Sequence, residues 1–213
     1  MVKKIEKVLS LIKRALLELI YPRENKCILC GEEYADGLCY KCKSTITYCK
    51  AEENSIGYYK GALKDLILNF KFKSRFDAGE ELVKLLEEKA IGYIDNEAII
   101  TYIPISRESL KDRGFNQCEY LAKELAIRNN YNTLNTLKRI KDNKIQKTLN
   151  REERLKNIQG VFEVIDKELI KNKKFILLDD VITTGATIHE AERVLKEAGA
   201  SEIKLLTLAK THV

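Results

Sequence analysis

Phe175–Thr187 reads FILLDDVITTGAT, and the order of its parts decides the fold. The apolar run Phe175, Ile176, Leu177 and Leu178 has the character of a strand buried on both faces, as parallel strands are. Two carboxylates, Asp179 and Asp180, stand at its carboxyl end, where open α/β sheets hold their ligands. The turn Thr183–Thr187 then opens a helix whose first N–H groups can face an anion. Acceptors for sugar hydroxyls followed by donors for a phosphate are the order that a sugar phosphate requires. Gly185 has a mechanical role here, since a backbone without Cβ can approach a phosphate and adopt positive φ.

Working outward, Ile188, Ala191, Val194, Leu195 and Ala198 recur at helical spacing, Gly199 suits a helix C-terminus, and Ile203–Leu208 reads as another apolar strand. The plain alternative is a strand that happens to end in acids, with threonines capping the next helix. A Walker B strand looks similar, but the Gly-x-x-x-x-Gly-Lys-Ser/Thr loop that a nucleoside triphosphatase needs is absent from the chain. The stretch resembles the phosphoribosyl-pyrophosphate (PRPP) fingerprint of type I phosphoribosyltransferases. That resemblance implies that Asp179 and Asp180 are the catalytic acidic pair on the ribose hydroxyls. It also implies that Thr183, Thr184, Gly185, Ala186 and Thr187 wrap the 5-phosphate, with Mg²⁺ accompanying PRPP.

A chain of 213 residues with 45% hydrophobic content suits one main domain with a small appendage. The formal charge of +6 is unevenly placed: Lys138–Asn157 holds eight basic residues against three acidic ones. Such a run is a solvated surface in the ordinary case and a candidate clamp beside a polyanion site. No apolar stretch has the ~20 residues needed to cross a bilayer, and no secretory signal core is read, so a cytoplasmic protein is expected. Residues 1–20 read as an amphipathic helix with Ile5, Val8, Leu9, Ile12, Leu16 and Leu19 on one stripe. Packing against the protein itself is favoured over peripheral membrane contact.

Cys27-x-x-Cys30 and Cys39-x-x-Cys42 are separated by eight residues. Four thiolates at this spacing suit tetrahedral Zn²⁺, and a segment this short (residues 21–50) needs a staple to fold. Disulfides or bare thiols are the alternatives; a reducing compartment weighs against the former. Four thiolates leave no open coordination position, so the role is structural. Cys49 and Cys118 fall outside this set, and Cys118 reads as a small buried hydrophobe.

Leu63, Leu66, Ile67 and Phe70 fit one helical face, with Lys60, Lys64, Lys71, Lys73 and Arg75 as a basic surface beside aromatics. Core aromatics with solvated lysines explain this pattern better than a single-stranded nucleic-acid surface does. Ala98–Ile103 reads as a buried strand stopped by Pro104. Ser106, Arg107, Lys111 and Arg113 gather after it, and Asn116 with Glu119 can cap a helix. In type I enzymes the loop in this position holds pyrophosphate, which makes Ser106 and Arg107 the pyrophosphate-loop candidates.

The two cysteine pairs, Tyr-x-Gly-x-Leu…Phe-Lys-Phe, Pro-x-Ser-Arg…Arg-Gly-Phe-Asn-Gln, Gln146-x-x-Leu149…Arg154-x-x-Asn157 and the fingerprint occur in an order that resembles the ComF family. These are phosphoribosyltransferase-like proteins associated with competence, the uptake of DNA in natural transformation. The resemblance implies a basic hood over about 138–160, with Gln146, Arg151 and Arg154 closing on PRPP. It also admits single-stranded DNA or a competence helicase as partners. Many relatives have a further cysteine pair where this chain has only Cys49, so one zinc ion is expected. The expected fold is α/β, a type I phosphoribosyltransferase-like domain over 51–213 with a mainly parallel sheet, preceded by the helix and the zinc module. Its strands are expected near Ala98–Ile103, Thr133–Lys138, Phe175–Asp179 and Ile203–Leu208. An enzyme releasing pyrophosphate and a non-catalytic PRPP sensor both remain open, because no general base and no acceptor signature is read.

Overall fold

The computed structural model describes residues 25–33, 36–95, 97–141 and 158–211. The helix expected over 1–20 and the hood residues Gln146, Arg151 and Arg154 lie outside the described residues. The second cysteine pair carries the short helix α1 (Tyr40–Lys43), followed by strand β1 (Ser55–Tyr58) and helices α2 (Gly61–Lys73) and α3 (Phe76–Ala90). Next come β2 (Ile99–Tyr102), α4 (Arg107–Arg113), α5 (Gln117–Asn129) and the two-residue β3 (Asn132–Thr133). A small pair, β4 (Leu137–Arg139) and β5 (Phe162–Val164), precedes β6 (Lys174–Ile182), α6 (Ala186–Glu197) and β7 (Glu202–Lys210).

The main sheet runs β1-β7-β6-β2-β3 and every pairing in it is parallel. β6 lies at its centre, paired with β7 and β2, which is why its apolar run is continuous rather than alternating. Successive side chains still serve opposite faces. Ile176 and Leu178 join the core built with α2, α3 and α5, where Leu63, Leu66, Phe70, Leu82, Leu121 and Leu125 are buried. Phe175 and Leu177 join a second core with Ile188, Ala191 and Leu195 of α6. The result is a three-layer fold whose central strand delivers Asp179 and Asp180 to one end. Among the described residues, no helix is long and apolar enough to cross a membrane.

One sequence expectation needs correction, and one strand was not foreseen. Thr133–Lys138 is not one strand of the main sheet. Only Asn132 and Thr133 pair with β2, whereas Leu137–Arg139 pairs antiparallel with β5. Asn135, a poor strand former, stands at the break. Beyond it the Thr136 hydroxyl meets Thr101 at 2.6 Å and Leu137 enters the core on the α6 side. The edge strand β1 was not expected. Its four residues include Gly57, and its place is secured by pairing with β7 and by a 2.7 Å contact between the buried Ser55 and Thr207 hydroxyls.

Helices α2 and α3 pack closely because Gly79 leaves room for Phe70: a Cβ at that glycine would fall 2.7 Å from the ring. Phe70 is further enclosed by Phe76, Phe115 and Tyr120. This fixes the last turn of α2, and with it Lys71, against α5.

Candidate functional site

The site is assembled at the carboxyl ends of the two neighbouring strands β6 and β2. Their register pairs Tyr102 with Leu178, and the Ile103 N–H donates to the Leu178 carbonyl at 3.1 Å. The chain leaving β2 is therefore held alongside Asp179 and Asp180. Asn116 secures it further by donating to the Ile103 carbonyl at 3.0 Å, while its own side-chain oxygen accepts from the Cys118 and Glu119 N–H groups as the cap of α5.

Asp180 is buried, and its Oδ2 accepts from both Gln117 Nε2 and Lys71 Nζ, each at 2.6 Å. Gln117 is oriented from behind, because Arg113 donates to its Oε1 at 2.8 Å and an arginine can only donate. The Arg113 guanidinium in turn stands 5.1 Å over the Phe72 ring. Asp179 is half-buried; its Oδ1 accepts from the Asp180 N–H at 2.9 Å and faces the Cys118 thiol at 3.6 Å. Burial, and then the neighbouring Asp180 charge, push the Asp179 carboxyl up to about 7. Burial also raises the Cys118 thiol, so this cysteine is an inert wall of the site.

Beyond β6 the backbone turns at Gly185, whose φ of 76° gives the left-handed cap of α6. A Cβ there would lie 3.2 Å from His189 Nε2, so the position favours glycine on both counts. Thr184 Oγ1 accepts from the Ala186 N–H at 3.4 Å, and Thr183, Thr184 and Thr187 border the opening of a 12-residue helix. An anion held there meets the helix N-terminus. On the β2 side, Ser106 caps α4 through the Ser109 N–H at 3.1 Å and Arg107 is the exposed first residue of that helix. The structure thus brings the acidic pair, the Thr183–Thr187 turn and the 106–107 loop to one end of the sheet.

Sequence reasoning left Lys71 on a solvated face, quoted Gln117 only as the last residue of the Arg-Gly-Phe-Asn-Gln motif without a role, and gave Arg113 no definite part. The signal was periodicity. Leu63, Ile67 and Lys71 are spaced four apart, as are Gln117, Leu121 and Leu125, so both polar residues stand in phase with an apolar stripe. A polar side chain on a buried face needs a buried partner, and Asp180 is that partner for both.

The four N-terminal cysteines converge. The sulfurs of Cys27, Cys30, Cys39 and Cys42 all lie within 4.8 Å of one another, with Cys30 and Cys39 at 3.6 Å. Thiolates around a tetrahedral ion at about 2.3 Å would be separated by about 3.8 Å, so the donor set fits one ion. Gly31 provides the tight turn, its N–H donating to the Cys27 carbonyl at 2.9 Å. Burial raises the Cys27 thiol, but the N–H groups of Cys30, Cys39 and Leu29 outweigh it and bring it down to about 6. Burial and the neighbouring thiols push Cys42 up. Cys49 is not among these four; it continues the chain towards β1 through a backbone bond to Ile56. Ile28, Leu29 and Leu38 pack on the main core, and Arg75 donates to the Ile28 carbonyl at 2.9 Å, so the cysteine segment rests on α2 and α3.

Residues 109–213 match the model of the phosphoribosyl transferase domain, and a parallel sheet with ligand-facing loops after β2 and β6 is the fold of that class. The chain is 30% identical over 174 residues to competence protein ComFC of Streptococcus pneumoniae, covering 80% of this chain and 75% of that one. It is 30% identical over 197 residues to ComFC of Bacillus subtilis, covering 87% and 78%, and 29% identical over 192 residues to competence protein F of Haemophilus influenzae, covering 81% and 84%. The chain belongs to the ComF family of competence proteins.

Proposed function

We propose that the crevice at the ends of β6 and β2 binds PRPP together with Mg²⁺, and that the protein uses this site in the handling of DNA during competence. The observation that carries the reading is the succession along one strand and its turn: the adjacent carboxylates of Asp179 and Asp180, the left-handed Gly185, and the open start of α6. Asp179 and Asp180 accept from the ribose hydroxyls, and the N–H groups of Thr183–Thr187 hold the 5-phosphate. Ser106 and Arg107, at the start of α4, are the residues that would receive the pyrophosphate. Mg²⁺, when bound, draws most of its oxygen ligands from PRPP and shields the pyrophosphate charge. The link to DNA handling rests on the competence relatives.

In the cysteine segment the four thiolates hold a structural Zn²⁺. The convergence of the four sulfurs within 4.8 Å of one another supports this reading.

Catalysis would be attack of a nucleophile on ribose C1 with loss of pyrophosphate, the C1–O bond electrons leaving with the pyrophosphate oxygen. A pyrophosphate-release assay with PRPP, Mg²⁺ and a panel of nucleobases tests it. Turnover that disappears in Asp180→Asn supports a transferase. Saturable PRPP binding without release on any base makes the same site a sensor.

A further inference from the structure

We propose that Lys71 is a mobile cation of the site. It neutralises Asp180 while the crevice is empty and transfers to the pyrophosphate oxygens when PRPP enters, so that it selects PRPP over ribose 5-phosphate. This rests on the PRPP reading of the crevice. It begins from the crowding at one atom. Asp180 Oδ2 already receives two short bonds, from Lys71 Nζ and Gln117 Nε2, both at 2.6 Å. A carboxylate oxygen has about two lone-pair sites, so a sugar hydroxyl donating to that oxygen must displace one of them.

Gln117 is not the donor that leaves. Its side chain is buried and its far end is fixed by Arg113 at 2.8 Å. Lys71 is held differently. Its ammonium ends a flexible four-carbon stem on the last turn of α2, and it borders a cavity of about 150 Å³ lined also by Phe72, Ser74, Ser109, Asp112 and Arg113. That space lies between α2 and α4, and α4 begins at the Ser106–Arg107 loop. Lys71 therefore has open space beside it on the α4 side, towards which its flexible stem can swing.

Charge decides where it settles. The Lys71 side chain is only 17% exposed, so an ammonium leaving Asp180 needs another anionic partner rather than bulk water. The entering ligand would provide one, since on the PRPP reading the pyrophosphate at ribose C1 faces the 106–107 loop. Asp112, in the same cavity, is the competing destination. The two destinations differ in what they read. Transfer to pyrophosphate distinguishes PRPP from ribose 5-phosphate, whereas transfer to Asp112 affects both ligands alike.

Calorimetric titration of the full chain with PRPP and, separately, ribose 5-phosphate, each with Mg²⁺, tests the proposal in the wild type, Lys71→Met, Lys71→Gln and Lys71→Arg, with Lys73→Met as a charge control. Lys71→Met should weaken PRPP by about tenfold or more, the loss of one charge-assisted contact, while ribose 5-phosphate changes by less than about threefold. Lys71→Arg should restore most of the PRPP affinity and Lys73→Met should leave it unaltered. Lys71→Gln keeps an N–H donor for Asp180 without the charge, and should show the same split if Lys71→Met does not fold. Equal weakening of both ligands, or unchanged PRPP affinity, overturns the role given to Lys71 while leaving the PRPP site standing. A wild-type chain that binds neither ligand overturns the PRPP reading itself, and this proposal with it.

Discussion

The Lys71 ammonium lies 2.6 Å from the Asp180 carboxylate, and both side chains are largely withdrawn from water, at 17% and 9% exposure. Removing the lysine leaves a buried charge without its counter-ion, next to a second carboxylate. Lys71→Met should lower the unfolding free energy by about 2–3 kcal/mol, somewhat less than for a fully enclosed pair. Lys71→Met/Asp180→Asn should recover at least half of the loss. Urea denaturation of four chains, the wild type, Lys71→Met, Asp180→Asn and the double variant, checks this, and additive losses in the double variant would show that the pair does not act as a unit.

Asp179 makes stability depend on pH in a stated direction. Its carboxyl is raised from 3.8 to about 7, first by burial and then by Asp180. The folded chain therefore holds a proton that the unfolded chain has released, and the stability linked to that proton is complete below pH ~4 and lost as pH rises through ~7. Asp179→Asn removes the titration. Its stability relative to the wild type should improve between pH 5 and pH 8 by about 1–3 kcal/mol. A difference that is flat across that range would show that Asp179 titrates normally.

Much of this arrangement was legible in the chain, and the unread parts share a physical cause. FILLDD announced a central parallel strand because burial on both faces makes an apolar run continuous, and Gly185 announced a turn that requires positive φ. Asn116 declared its capping role through the residues that follow it. β1 escaped, and β3 was met only at Thr133, because short edge strands have little burial to imprint on their sequence; β3 is only Asn132–Thr133. The Thr133–Lys138 strand was misjudged because a hydrophobic residue such as Leu137 signals burial without saying in which core. Lys71 and Gln117 were hidden by their residue type. Their partner, Asp180, is 109 and 63 positions away along the chain, and only tertiary packing joins them.

The cysteine segment should contain one metal ion per chain. Elemental analysis of the purified protein should give about one zinc for the four thiolates, and Cys27→Ser should lose it. Because few apolar residues of that segment are buried, a chelator should release Ile28, Leu29 and Leu38 from the main core and raise protease sensitivity around Cys27–Cys42. A full zinc content in Cys27→Ser would place the metal elsewhere.

The central claim is that the ends of β6 and β2 form a PRPP site, and calorimetric titration of the wild type and Asp179→Asn/Asp180→Asn with PRPP, with and without Mg²⁺, tests it most directly. Saturable, Mg²⁺-dependent binding of one PRPP per chain that is lost in the double variant is the expected result. Absence of binding in the wild type, or equal affinity in a folded double variant, would contradict it.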